Sequence, residues 1–325
     1  MLSCGIVVCS AATAQKLPVS EQIDAYLERL GLTDLRTLQL EEKLKQLQFK
    51  TERLKTGRKL ADLYVTLLLK TADTKQSDEI VARIAELLKQ VPQVDSPSLQ
   101  TMLLQAEYVR AEALAAKWVA DAAETDSRGE AHKRFSELAP RLRKLVGDLT
   151  KTVAAKEVKT ERITDPDKLA AKDKELTRLY EVVARGKFYT AWTLYYSAAT
   201  STAVVQNDVT AARRLFREQL GIKDDDDYLQ LAPETLALSS PVRSRLLLGL
   251  ALCESLRGRL NDAEQVLRLF EHDSVPETIR DELLFWRAWI LLRAGAVTGV
   301  RDYYQQQSDL FSQGQPPDGS TSACC

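Results

Sequence analysis

Apolar positions recur along most of this chain at intervals of three and four residues, the spacing that gathers them on one side of an α-helix. The residues between these runs read as helix starts and stops. Ser20 is placed to cap a first helix that ends at Gly31. Thr33 or Asp34 opens a long second helix, with Leu35, Leu38, Leu44, Leu47, Leu54 and Leu63 among its apolar positions; it reaches Leu69 and is loosened near Gly57. Ser77 is the expected cap of a helix over 78–91, closed by Pro92. Ser96-Pro97 pairs an N-cap with a proline at the first helical position, where the missing N–H does no harm, and the pattern then runs to about residue 124. A further helix spans 128–156, broken or bent near Pro140. Asp165-Pro166 repeats the cap-plus-proline device and opens a helix to Arg185, with Gly186 as its stop. Helices follow over 187–205, 209–220, 240–257, 260–272, 276–294 and 297–311. No alternating apolar run is long enough to argue for a strand, so the fold class is all-α.

The back half repeats itself. Ala251, Gly258 and Ala263 are followed 37 residues later by Ala288, Gly295 and Val300 at the same spacing. Small side chains at the first and third positions let two antiparallel helices approach closely, and the glycine permits the turn between them. This pattern resembles the tetratricopeptide repeat (TPR), a helical-pair repeat with a period of about 34 residues. The resemblance covers 241–311 and extends upstream to about 166. It implies that Leu247, Leu250 and Leu267 fill the space around the small residues of one unit, and that Leu284, Leu291 and Tyr304 do so in the next. Upstream two registers compete for the helix 187–205. One pairs Ala199 with Ala211, with Gln206 in place of the turn glycine; the other uses Leu179, Gly186, Ala191 and Tyr195.

The resemblance implies stacked antiparallel helix pairs forming a right-handed superhelix, an α-solenoid, because each pair needs a neighbour to bury its apolar side. In that family the first helix of each pair lines an inner groove. By position, this points to Arg245, Glu282, Phe285, Trp289 and Arg293 as groove residues. The alternative for Phe285 and Trp289 is a packing role, and the alternative for the whole is an irregular helical bundle.

The N-terminal region differs in character. Leu40, Leu44, Leu47, Thr51, Leu54, Arg58 and Ala61 follow a heptad spacing, but Thr51 and Arg58 leave only about two good heptads. A long N-terminal helical hairpin packed against 77–91 explains this better than a coiled coil. The expected organisation is a signal peptide over 1–14, a helical region with long hairpins over 15–160, TPR-like repeats over 165–311 and a disordered tail over 312–325.

Composition narrows the use of such a fold. Hydrophobic residues make up 45% and charged residues 28%, enough for a core under a solvated surface. Only 13 glycines and 10 prolines occur in 325 residues, below the usual shares of about 7% and 5%, as long helices require. Forty-five basic residues balance 46 acidic ones, without the basic excess that phosphate contacts demand. The locally basic stretch 43–59 has Glu41 and Glu42 beside it and Glu52 within it, and reads as a solvated face. The five cysteines make no disulfide framework; Cys253 falls on an apolar helix face as a small hydrophobe. The apolar start ends in Ala12-Thr13-Ala14, a small-x-small pattern acceptable to signal peptidase. It predicts export to the periplasm or cell exterior; the alternative is a frayed start on a cytoplasmic protein. No run approaches the 18 or more apolar residues of a transmembrane helix.

Catalytic apparatus is missing from the sequence. His132 and His272 stand alone, without a zinc-ligand cluster. The acidic run 224–227 continues with Tyr228 and Leu229 where a calcium loop needs an oxygen ligand and a glycine. No phosphate-cradling glycine motif or nucleophile elbow appears. The expected function is therefore a non-enzymatic interaction or scaffold module, without cofactor or metal, holding a protein or peptide partner and no nucleic acid. Two alternatives stand beside it. One is a structural N-terminal portion of a larger cell-envelope protein. The other is a helical enzyme with an acidic site, which a deep pocket with converging carboxylates or tyrosines would favour.

Overall fold

The computed structural model describes residues 19–71, 73–121, 123–160, 165–203, 205–223, 228–231, 236–273, 275–295 and 305. All regular structure among them is helical. The signal-like start, the acidic run, the C-terminal tail and all but Gln305 of the helix expected over 297–311 lie outside the described residues. Two compact units divide between Leu99 and Gln100.

The first unit holds α1 (Val19–Arg29), α2 (Thr33–Gln46), α3 (Lys50–Lys70) and α4 (Thr74–Gln90), followed by a 3₁₀ turn, Pro92–Val94. The single helix expected from Thr33 to Leu69 is two helices. The chain turns at Leu47 and Phe49, whose backbones are extended. Nothing in Gln-Leu-Gln-Phe discourages a helix; folding back wins because it buries Leu40 and Leu44 together with Leu60, Ala61, Tyr64, Val65 and Leu68. Arg53 secures the break by donating to the Leu44 and Leu47 carbonyls, 3.1 Å each, which the end of α2 leaves open. The heptad-like seam therefore runs across two helices. Gly57 does not loosen α3. It is buried, and a Cβ there would lie 2.8 Å from Val94 Cγ2, so it admits the 3₁₀ turn. The cap of α4 is Asp73, which accepts from the N–H groups of Lys75 and Gln76, while Ser77 is buried inside the helix. A buried Asp24 ties three helices together through Arg36 at 2.6 Å and Lys59 at 2.8 Å.

The second unit takes in most of α5 (Pro97–Ala120), then α6 (Thr125–Thr160), α7 (Pro166–Thr200), α8 (Gln206–Leu220), α9 (Pro241–Leu256), α10 (Leu260–Arg268) with a 3₁₀ turn, the single-turn α11 (Glu277–Arg280) and α12 (Leu283–Arg293). Hydrogen bonds give the directions. Arg128 reaches Thr200 and Ser201, His132 reaches Ser197 and Lys156 reaches Glu175, so α6 and α7 run antiparallel. Ser197 with Asp208 and Lys187 with Glu218 set α8 antiparallel to α7. Arg243, near the start of α9, donates to carbonyls of Gln219 and Leu220 at the end of α8.

Three further expectations change. Gly186 does not stop a helix; α7 runs through it for 35 residues. A mid-helix glycine costs only about 1 kcal/mol, and here its bare Cα lets Val146 of α6 approach to within 2.8 Å of a Cβ position. The competing register that needed a turn at Gly186 is thereby excluded, whereas Ala199 and Ala211 do stand on the successive helices α7 and α8. Helix α6 continues through the exposed Pro140, with Leu138, Ala139 and Leu142 buried on either side. The helix expected over 276–294 is interrupted at Asp281-Glu282, where Glu282 N–H bonds to the Ile279 carbonyl three residues back.

Residues 190–200 of α7 are all buried, marking it as the central helix of the unit. Ala251 and Ala263 are fully buried in the core that joins α9 and α10, with Leu247, Leu250 and Leu267 beside them. Gly258 (φ +76°) and Gly295 (φ +72°) both take the left-handed conformation directly after a helix. Tyr304 and Val300 lie outside the described residues.

Candidate functional site

The residues expected to line a groove come from α9 and from the segment that carries α12. Arg245 and Glu282, 37 residues apart in the sequence, form an ion pair at 2.7 Å. Glu282 also accepts from Trp286 Nε1 at 3.0 Å. Trp289 and Arg293 are four positions apart on α12, so both project toward one side, and both meet Trp118 of α5. The two indoles are edge-on at 5.4 Å. The Arg293 guanidinium lies 5.5 Å from the Trp118 ring centre and 5.9 Å from that of Trp289, while Arg128 covers Trp118 at 5.0 Å. Phe285 stands apart: it is 42% exposed and touches the ring of Trp286.

Two adjacent tyrosines of α7 link these pairs. Tyr195 receives a hydrogen bond from Trp289 and faces Arg293, and Tyr196 faces Arg245, Glu282 and Glu112. Burial drives both phenols well above their ordinary range. Arg293 is pulled below the usual guanidinium value, first by burial and then by Arg128, with Tyr195 working against this. Glu112 of α5 accepts from Tyr108 at 2.7 Å and is also hydrogen-bonded to Tyr196. Burial is the largest influence on Glu112 and raises its carboxyl, although both tyrosines and Arg245 oppose it.

Four of the five expected residues are therefore brought into one assembly with the inward sides of α7 and α5. Tyr108, Glu112 and Trp118, together with Arg128 and Tyr196, escaped the sequence reading. Its only signal was aromatic density in the stretch Phe188-Tyr189, Trp192 and Tyr195-Tyr196.

A carboxylate and tyrosines do converge here, with Tyr108 and Tyr196 buried and Glu112 partly so. Tyr108 packs on Tyr189 at 5.1 Å and Phe135 stacks on Tyr196 at 5.1 Å. Among the described residues, clefts of 250 to 310 Å³ lie elsewhere: beside Glu41, Tyr64 and Arg83; beside Asp24, Lys43 and Lys59; and between α5 and α6 near Arg141. Cys253 is buried and its thiol is pushed up by desolvation, the opposite of a reactive cysteine. Among the described residues no group of three or more His, Cys, Asp or Glu is placed to hold a metal ion, and no helix is long and apolar enough to cross a membrane. No protein-family model, no curated protein and no solved structure matches this chain.

Proposed function

We propose that this chain is a non-enzymatic interaction module that holds a protein segment on the face formed by α7, α9 and α12, within a divergent TPR-like array. The observation that carries the reading is the Arg245–Glu282 ion pair. The pair sets the start of α12 beside α9, which is compatible with helix pairs stacked on one another. Both alanines of the best-matched unit are fully buried, and the two repeat glycines share one backbone conformation. What reaches solvent on this face is the Arg245–Glu282 pair, with side chains 41% and 34% exposed, and Phe285 at 42%; arginine and aromatic residues are enriched at protein interfaces.

The test begins with proteins retained by the immobilised full chain. Each candidate is purified and its direct affinity measured for the wild type, Trp289→Ala and Arg245→Glu, with folding checked by circular dichroism. A loss of at least about tenfold is expected for each folded variant. Affinity unchanged in both would overturn the reading. Export of the mature protein, expected from the start of the chain, remains part of this proposal; mature protein beginning at Met1 would remove it.

A further inference from the structure

Helix α1 buries its polar side and leaves its apolar side in water. Among its described residues only Asp24 is buried, held by Arg36 at 2.6 Å and Lys59 at 2.8 Å. Val19, Ile23, Tyr26 and Leu30 are 44% to 70% exposed. Leu30 N–H still donates to the Tyr26 carbonyl, at 3.1 Å, so the helical path reaches it. The spacing of four, three and four residues aligns these side chains in one stripe, the kind of seam by which a helix packs against another helix. Arg29 borders the stripe, with its guanidinium 5.4 Å from the Tyr26 ring centre. Exposed apolar residues scattered singly are ordinary; four aligned on one side of a helix mark an interaction surface.

The stripe reads the same in both directions. About the midpoint between Asp24 and Ala25, an antiparallel second copy of α1 sets Val19 opposite Leu30 and Ile23 opposite Tyr26, and two-fold symmetry makes each contact twice. Charge favours the same arrangement. Glu21 lies in the first turn and Arg29 in the last, so antiparallel copies bring each basic end to an acidic one, with the helix dipoles opposed. A parallel pair would set like ends together. The net charge of −1 leaves little repulsion between whole chains. A membrane surface fits less well, because Glu21, Asp24 and Glu28 outnumber Arg29 where lipid headgroups favour basic residues.

We propose that a second copy of this chain covers the stripe, α1 against α1 and antiparallel, with Ile23 and Tyr26 at the centre. The pairing is separate from the interaction reading above and does not depend on it. Four side chains from each copy make a contact smaller than the standard interface of about 800 Å² per partner, so the dissociation constant should be micromolar, about 1–100 μM.

Sedimentation velocity of the full chain at rising concentration reads the association, with reductant present so that none of the five cysteines links copies. The wild type should pass from monomer to dimer over the micromolar range. Ile23→Glu and Tyr26→Glu change exposed residues, so both should fold, as circular dichroism checks, and each should weaken dimerisation at least about tenfold. Val81→Glu, similarly exposed on α4, should leave it unchanged. A photoreactive residue at Ile23 should crosslink to the second copy near Tyr26. The proposal is overturned if the wild type stays monomeric throughout, or if the dimer is as tight in both α1 variants as in the wild type. It is equally overturned if Val81→Glu weakens the dimer as much as they do, or if position 23 crosslinks only within its own chain or away from α1.

Discussion

Glu254 is fully buried and Glu112 partly buried in the second unit, and their surroundings shift their titrations in opposite directions. The Glu254 side chain is 0% exposed and receives Arg213 at 2.5 Å, Arg257 at 2.8 Å and the Tyr228 hydroxyl. Burial is the largest single influence and raises its carboxyl, but the hydrogen bonds and the two guanidinium charges together hold it below 4.5. The same network pushes the Tyr228 phenol up to about 12, with burial the first cause. A depressed carboxylate contributes stability that is present above its unfolded value and lost as pH falls through its folded value. The raised Glu112 has the opposite sign: its contribution is present below the unfolded value and lost as pH rises through the folded one. Glu254→Gln should therefore cost about 3 kcal/mol at neutral pH by stranding Arg213, and should flatten the acid limb of the stability profile. Glu112→Gln should raise neutral-pH stability and remove the decline above the carboxylate range. Urea unfolding across pH checks both. Little of this was legible beforehand. Glu254 and Glu112 look like any helical acids in sequence, and which side of a helix is buried depends on what packs there. Arg245 and Glu282 were singled out beforehand through the resemblance to a repeat, and the structure pairs them at 2.7 Å.

At the scale of elements, the helical class and most helix starts followed from caps, prolines and spacing: Ser96 does accept from Leu99 N–H, and Asp165 caps α7. Glycine was the unreliable mark. Gly258 and Gly295 end helices in the left-handed region, where only a missing Cβ is comfortable. Gly57, Gly186 and Gly249 sit inside helices as points of close approach, and local sequence does not separate the two uses. A Cβ on Gly249 would collide with the Phe216 ring at the α8–α9 contact, whereas one on Gly147 meets nothing within 4 Å. Gly249→Ala should destabilise by about 1–3 kcal/mol through overpacking, while Gly147→Ala should stabilise by about 0.5–1 kcal/mol through helix propensity. Thermal or denaturant unfolding of the pair separates packing from propensity. The turn at Leu47 had no local signal because the burial gained by folding back decided it.

For the molecule as a whole, the second unit is a succession of antiparallel helices around α7, with an aromatic and charged face on α7, α9 and α12 that its own α5 occupies. The sequence pointed to residues of the α9–α12 part of that face through its resemblance to a repeat. It could not mark α5, which lies outside the repeat and reaches the face only through the tertiary fold. The claim that this face is the place of partner binding is tested most directly by site-specific photo-crosslinking. A photoreactive residue is placed at Trp289 on the face, at Glu218 on α8 and at Arg268 on α10. With partner added, position 289 should crosslink to it, and none should form to it from 218 or 268. Partner crosslinks from 218 or 268 with none from 289 would contradict the claim.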